Sequence, residues 1–153
     1  MNRFKLDRFP EQMQCGLLSV LFCSLLLVPC HLIAKDIEKG LRIDLNKTER
    51  SDENCRITLV FENNSQDFYQ KYYMELAFFN KNGVIAQRIT VDAAPLRNNK
   101  TTIKEFDVPQ LQCNDINRVL LNTISKCEPS SEQNLDCMSL IKLKSHSGIE
   151  FLM

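Results

Sequence analysis

Sulfur and one imidazole carry most of the chemistry this sequence offers. Seven cysteines divide three and four: Cys15, Cys23 and Cys30 near the N-terminus, and Cys55, Cys113, Cys127 and Cys137 in the body. An even number in an exported body implies two disulfides, and four cysteines allow three connectivities. Cys127 and Cys137 flank one polar loop, which favours a local bond. Cys55 opens an apolar strand and Cys113 follows the bend at Pro109, so these two form the expected long-range pair. A zinc site would use spaced C-x2-C pairs or several histidines. The gaps here contain no such pair, and His146 is the only histidine beyond residue 34. No metal and no cofactor is expected.

His146 sits between Ser145 and Ser147 and ahead of Gly148. Hydrolysis by such residues needs a nucleophile held against a base, and the base oriented by a third group. Neighbours in a glycine-containing turn do not provide that arrangement, so His146 reads as a solvated turn residue. Gly40, Gly83 and Gly148 are too scattered for a phosphate-cradling loop. Asp92 and Asp107 stand at strand ends without a partner signature. The expectation is a protein that is not an enzyme. The alternative is a small hydrolase or redox protein using His146 or a labile cysteine pair.

Aromatic residues concentrate at Phe68, Tyr69, Tyr72 and Tyr73, interleaved with Lys71. Rings with polar tips suit recognition surfaces, and the candidate partner surface joins Phe68, Tyr69 and Tyr72 to Arg97 and Lys100. Strand alternation offers the opposing reading, in which about half of the rings enter the core. Basic and acidic residues balance at 19 each. Without Arg3, Lys5, Arg8, Asp7 and Glu11 the remainder is close to neutral, so no field draws nucleic acid or an anionic membrane to it.

These residues need a scaffold, and the sequence describes one at 153 residues, enough for a single domain. Residues 1–34 have a basic start, the apolar run Gly16–Val28, and small Ala34 before Lys35, the order of a secretory signal peptide cleaved between the last two. An uncleaved membrane anchor is the alternative. Residues flanking Cys15, Cys23 and Cys30 do not suit lipid attachment. Residues 35–40 form a charged lead-in, and 41–153 form the folded domain. Leu41–Leu45 and Cys55–Phe61 alternate apolar and polar residues, as half-buried strands do, with Asn46–Asn54 between them as a polar loop. Tyr73–Phe79 and Val84–Val91 flank Asn80-Lys81-Asn82-Gly83, a hairpin signal. Pro95 suits a sheet edge or a crossing between sheets, Thr101–Val108 reads as a further strand, and Leu111–Ile116 as a single helical turn. Val119–Ile124, Met138–Leu143 and Gly148–Leu152 complete the set. Seven or eight short strands without a long amphipathic helix point to an all-β, immunoglobulin-like antiparallel β-sandwich behind an N-terminal signal helix.

The stretches "LVFENNS", "ELAFFNKNGVIA" and "PLRNNKTTIKEFDV" resemble the grammar of immunoglobulin-like bacterial modules. More closely, the body resembles small exported alphaproteobacterial proteins labelled "Tat pathway signal" proteins. The resemblance rests on "LRIDLNK", Cys55 before "LVFEN", "GVIAQRITVDAAPLRNNKT", "LQC", "NRVLLN", Cys127 and Cys137. It implies a periplasmic location and brings no activity with it. Arg3 and Arg8 are not adjacent, so the twin-arginine signal itself is missing and general secretion is the expected route. The functional expectation is a periplasmic, non-enzymatic binding or accessory module. Its expected partner is another periplasmic or envelope protein, and it meets the membrane only through the segment before cleavage.

Overall fold

A computed structural model describes residues 39–131 and 136–153. The expected signal segment 1–34 and its cleavage at Ala34 and Lys35 lie outside the described residues. Eight strands follow one another: β1 Leu41–Ser51, β2 Asn54–Asn63, β3 Tyr69–Asn80, β4 Ile85–Asp92, β5 Lys100–Val108, β6 Ile116–Pro129, β7 Ile141–Ser145 and β8 Glu150–Leu152. They form two four-stranded sheets, ordered β5-β2-β1-β7 and β4-β3-β6-β8. The expected all-β sandwich is the architecture found.

The core follows from alternation. Cys55, Ile57, Leu59 and Phe61 of β2 face Met74, Leu76 and Phe78 of β3, and all seven are essentially inaccessible to water. Each such side chain stabilises the fold by roughly 1.5–3 kcal/mol when fully buried. β3 lies between β4 and β6, and the Asn80 side chain closes its hairpin by accepting from the N–H groups of Asn82 and Val84. Gly83, at φ +75°, supplies the left-handed residue of that turn.

Three departures from the sequence pattern have physical causes. Asn46–Asn54 is not a loop, because β1 continues to Ser51 and turns at Asp52-Glu53 into β2. A register irregularity between Leu45 and Lys47 breaks the alternation there. Beyond it the strand is held by backbone pairing rather than by burial, so apolar periodicity stops before the strand does. In the same way β6 runs on past Ile124 to Pro129. Thirdly, Met138–Leu140 form a turn, so β7 starts only at Ile141. β7 and β8 do not form a hairpin: β7 pairs in parallel with β1, and β8 in parallel with β6, in opposite sheets. The antiparallel ladder therefore has a parallel strand at one end of each sheet.

Two disulfides fix the periphery. Cys55–Cys113 spans 4.8 Å between Cα atoms and ties β2 to the 3-10 turn Cys113–Asp115. Cys127–Cys137 spans 6.6 Å and ties the end of β6 to the approach to β7. Both spans fall in the usual range for the bond, and both bonds are consistent with an oxidising, non-cytoplasmic environment. No helix among the described residues is long and apolar enough to cross a membrane.

A surface clamp joins β2 to β5: Arg56 Nε and an Nη donate to the two Asp107 oxygens at 2.8 and 3.0 Å. The guanidinium holds the Asp107 carboxyl below its usual 3.8. A carboxyl whose folded pKa is depressed adds stability above the unfolded value and loses it as pH falls through the folded one. The difference in melting temperature between the parent and Asp107→Asn should therefore be present at neutral pH and shrink below about pH 3.8. A gap that stays constant down to pH 2 would show that the clamp contributes through packing alone.

Candidate functional site

His146 is more than a solvated turn residue. Its backbone N–H and that of Ser147 both donate to Leu45 O, at 3.0 and 3.1 Å, which seats the turn against β1. From there His146 Nδ1 lies 2.6 Å from Asp44 Oδ2. Asp44 is buried, with Asn46 Nδ2 donating to the same oxygen at 3.3 Å, while the imidazole is half-exposed. The contact fixes the ring through its Nδ1 and leaves the other ring face half-exposed, the arrangement in which a carboxylate orients an imidazole. The two serines do not extend it into a hydrolytic site. Ser145 Oγ donates to Ile149 O at 2.6 Å, and Ser147 Oγ accepts from Ile149 N–H at 3.3 Å. Neither serine is hydrogen-bonded to the imidazole among the described residues.

The aromatic belt divides differently from the expected surface. Tyr69 and Tyr72 are core residues, 2% and 1% exposed, with rings 5.5 Å apart in a T-shaped contact. They cannot belong to a partner surface. Alternation explains this, because Tyr72 shares the inward face of β3 with Met74, Leu76 and Phe78, and Tyr69 exchanges both backbone hydrogen bonds with Leu96. Burial raises the pKa of both hydroxyls, and the Tyr72 hydroxyl has no hydrogen-bond partner among the described residues. Of the five residues proposed for that surface, Phe68 is half-buried and Arg97 and Lys100 are exposed. Asn63 is buried at the base of this region. Its Nδ2 donates to Asp67 O and Leu96 O, and its Oδ1 accepts from Ser65. The connector 93–99 is thereby pinned to β2.

That connector carries the chain from β4 to β5, which are the outer strands of the two sheets on one side of the sandwich. Between them lies an open cleft of about 260 Å³, lined by Phe61, Val91 and Phe106 and equally by Thr90, Lys104 and Glu105. β5 guards its own edge. Lys104 lies opposite Leu59, on the inward face, and its Nζ donates to Ala94 O at 2.6 Å. An inward charge of this kind discourages strand addition. β4 has no such guard: its inward residues are Gln87, Ile89 and Val91, opposite Phe78, Leu76 and Met74. At the other side of the sandwich β7 and β8 are only five and three residues long. Among the described residues, β4 is thus the long edge left open, continuous over residues 87–92 beyond the register irregularity at its start. Sequence reading identified this strand through its hairpin but did not mark it as an edge.

No protein-family model matches the chain, and no curated protein matches it in sequence. A solved structure from the structural characterization of IrmA from Escherichia coli is similar, with a TM-score of 0.52 at 12% identity. The match covers 69% of this chain and 91% of that one. At that identity the likeness concerns the β-sandwich fold, since sandwiches host many functions.

Proposed function

We propose that this protein is an exported, periplasmic binding module that catalyses nothing and contacts a protein partner through the β4 side of the sandwich. The observation that carries this reading is the β4 edge, which no described strand covers, beside an open cleft. An incoming extended segment would find backbone donors and acceptors along the strand and a recess of mixed lining, Phe61, Val91 and Phe106 beside Lys104 and Glu105, for alternate side chains. Pairing with β3 from Tyr73 to Phe79 already holds β4 extended, so binding needs no further ordering of the strand, which lowers its cost.

The Asp44–His146 contact favours one other reading, a small hydrolase whose nucleophile comes from elsewhere. Complementation of a deletion strain separates the two. Val91→Asp puts a charge into the recess and is expected to abolish complementation at a temperature where its melting curve shows it still folded; because Val91 packs partly against the core, its midpoint should also fall. His146→Ala is expected to leave complementation intact. Loss of function in His146→Ala, with full function in Val91→Asp, would overturn the binding reading and place the site at the β7–β8 turn.

A further inference from the structure

The open strand is complementary to itself. β4 contains Arg88-Ile89-Thr90-Val91-Asp92, and reversal of its direction sets Arg88 opposite Asp92, Ile89 opposite Val91, and Thr90 opposite Thr90. We propose that the occupant of the β4 edge is a second copy of this chain, paired antiparallel about a two-fold axis through Thr90. The inference rests on the binding reading above and names its partner.

Backbone geometry permits this register. Ala93 N–H donates to Tyr72 O at 2.9 Å, so the odd-numbered residues of this part of β4 turn their hydrogen-bonding groups toward β3. Arg88, Thr90 and Asp92 therefore direct their main-chain N–H and C=O outward. Across the two-fold axis, Thr90 would exchange both bonds with its counterpart, and Arg88 would do so with Asp92. In the single chain Gln87 Oε1 accepts the Arg88 N–H at 3.0 Å, a local cap that the second strand would displace.

The side chains agree with the backbone. Arg88, Thr90 and Asp92 are exposed on the outer face, where the register creates two Arg–Asp pairs around a central Thr–Thr pair. Opposite charges and threonine pairs directly across strands both stabilise antiparallel pairing. The Arg88 guanidinium is held only loosely within its own chain, 4.0 Å from Glu75 Oε1. Asp92 uses Oδ1 to accept the Ala94 N–H at 2.9 Å, which leaves Oδ2 for a partner. On the inner face Ile89 would meet Val91 twice, extending the apolar part of the recess. An interface in which the same patch serves both partners is what a two-fold dimer requires. The result would be one continuous eight-stranded sheet running through both copies.

Charge exchange tests the register. The measurement is sedimentation equilibrium over a concentration series, on protein recovered after export of the full chain, with melting curves as the folding control. The parent is expected to be a dimer. Arg88→Asp sets like charges opposite each other twice and should weaken the dimer by about tenfold or more. Asp92→Arg should do the same. Arg88→Asp combined with Asp92→Arg restores opposite charges and should recover the dimer, which a merely structural role for either residue does not predict. Thr90→Cys should form a disulfide between copies on mild oxidation. A monomeric parent, or a dimer indifferent to the single exchanges, would overturn the proposal. A monomer whose complementation is still lost in Val91→Asp would leave the binding reading standing with a different occupant, whereas a monomer that tolerates Val91→Asp would remove both.

Discussion

Replacement of Cys55 and Cys113 together by alanine should lower the melting temperature by about 15 °C, more than the loss of the other disulfide. The bond closes a stretch with a sequence separation of 58, against 10 for Cys127–Cys137. On the chain-entropy account the longer loop stabilises by about 4 kcal/mol and the shorter by about 3 kcal/mol. For a domain of this size each kcal/mol moves the midpoint by roughly 4 °C. Location reinforces the order. Cys55 is fully buried and starts the row that continues through Ile57, Leu59 and Phe61, so its loss also leaves space in the core. Calorimetry on the two double replacements checks the ranking. A larger fall for the Cys127 and Cys137 pair would show that the segment between them, rather than β2, limits stability.

Tyr69→Ala should cost about 3–5 kcal/mol, the range for truncating a large aromatic side chain in a core. Its ring meets Tyr72 edge to face at 5.5 Å, and its backbone exchanges two hydrogen bonds with Leu96 at 3.0 Å each. The truncation empties a site between β3 and the connector that bears Arg97. The chain has no tryptophan and three tyrosines, so the tyrosine bands of the near-ultraviolet circular dichroism, read apart from those of phenylalanine and the disulfides, report on this contact. The expected result is a lower midpoint together with a collapsed tyrosine signal, and Phe68→Ala, on a half-buried side chain, should be milder in both. An unchanged midpoint for Tyr69→Ala would return Tyr69 to the surface role its sequence neighbourhood suggests.

Where the sequence could be read, it was because local rules and burial agreed. The alternating rows Cys55–Phe61 and Met74–Phe78 show which faces meet in the core, and Asn80–Gly83 carries its own turn chemistry. Pro95 fits a sheet edge or a crossing, and only the strand order shows that it lies in the crossing from one sheet to the other. The strand ends were hidden for the opposite reason: Lys47–Ser51 and Ser125–Pro129 are held by pairing, which leaves no apolar pattern. Tyr69 and Tyr72 were ambiguous because a ring with a polar tip suits a core as well as a surface, and only the register of β3 decides between them. Asp44 was invisible as an orienter of His146. The two lie 102 residues apart in the chain, and within "LRIDLNK" the aspartate looks like any outward residue of an alternating strand. The self-complementarity of Arg88–Asp92 is plain as text but has no meaning until β4 is known to be an edge.

The parallel strands β7 and β8 set a timetable for the chain. β1 is laid down first, yet one flank of it stays bare until β7 arrives about 100 residues later, at register pairs such as Leu41 with Ile141. β6 likewise waits for β8, which joins it through Arg118–Leu120. A polypeptide that emerges N-terminus first, whether from a ribosome or from an export pore, therefore displays two uncapped sheet margins throughout its passage. Both are sealed by the same short C-terminal stretch. Stop codons or proteolytic nicks near residue 140 would thus do more than shorten the protein: they would release nearly complete sandwiches, each with two adhesive flanks, for which quality-control proteases and holdases must compete with aggregation.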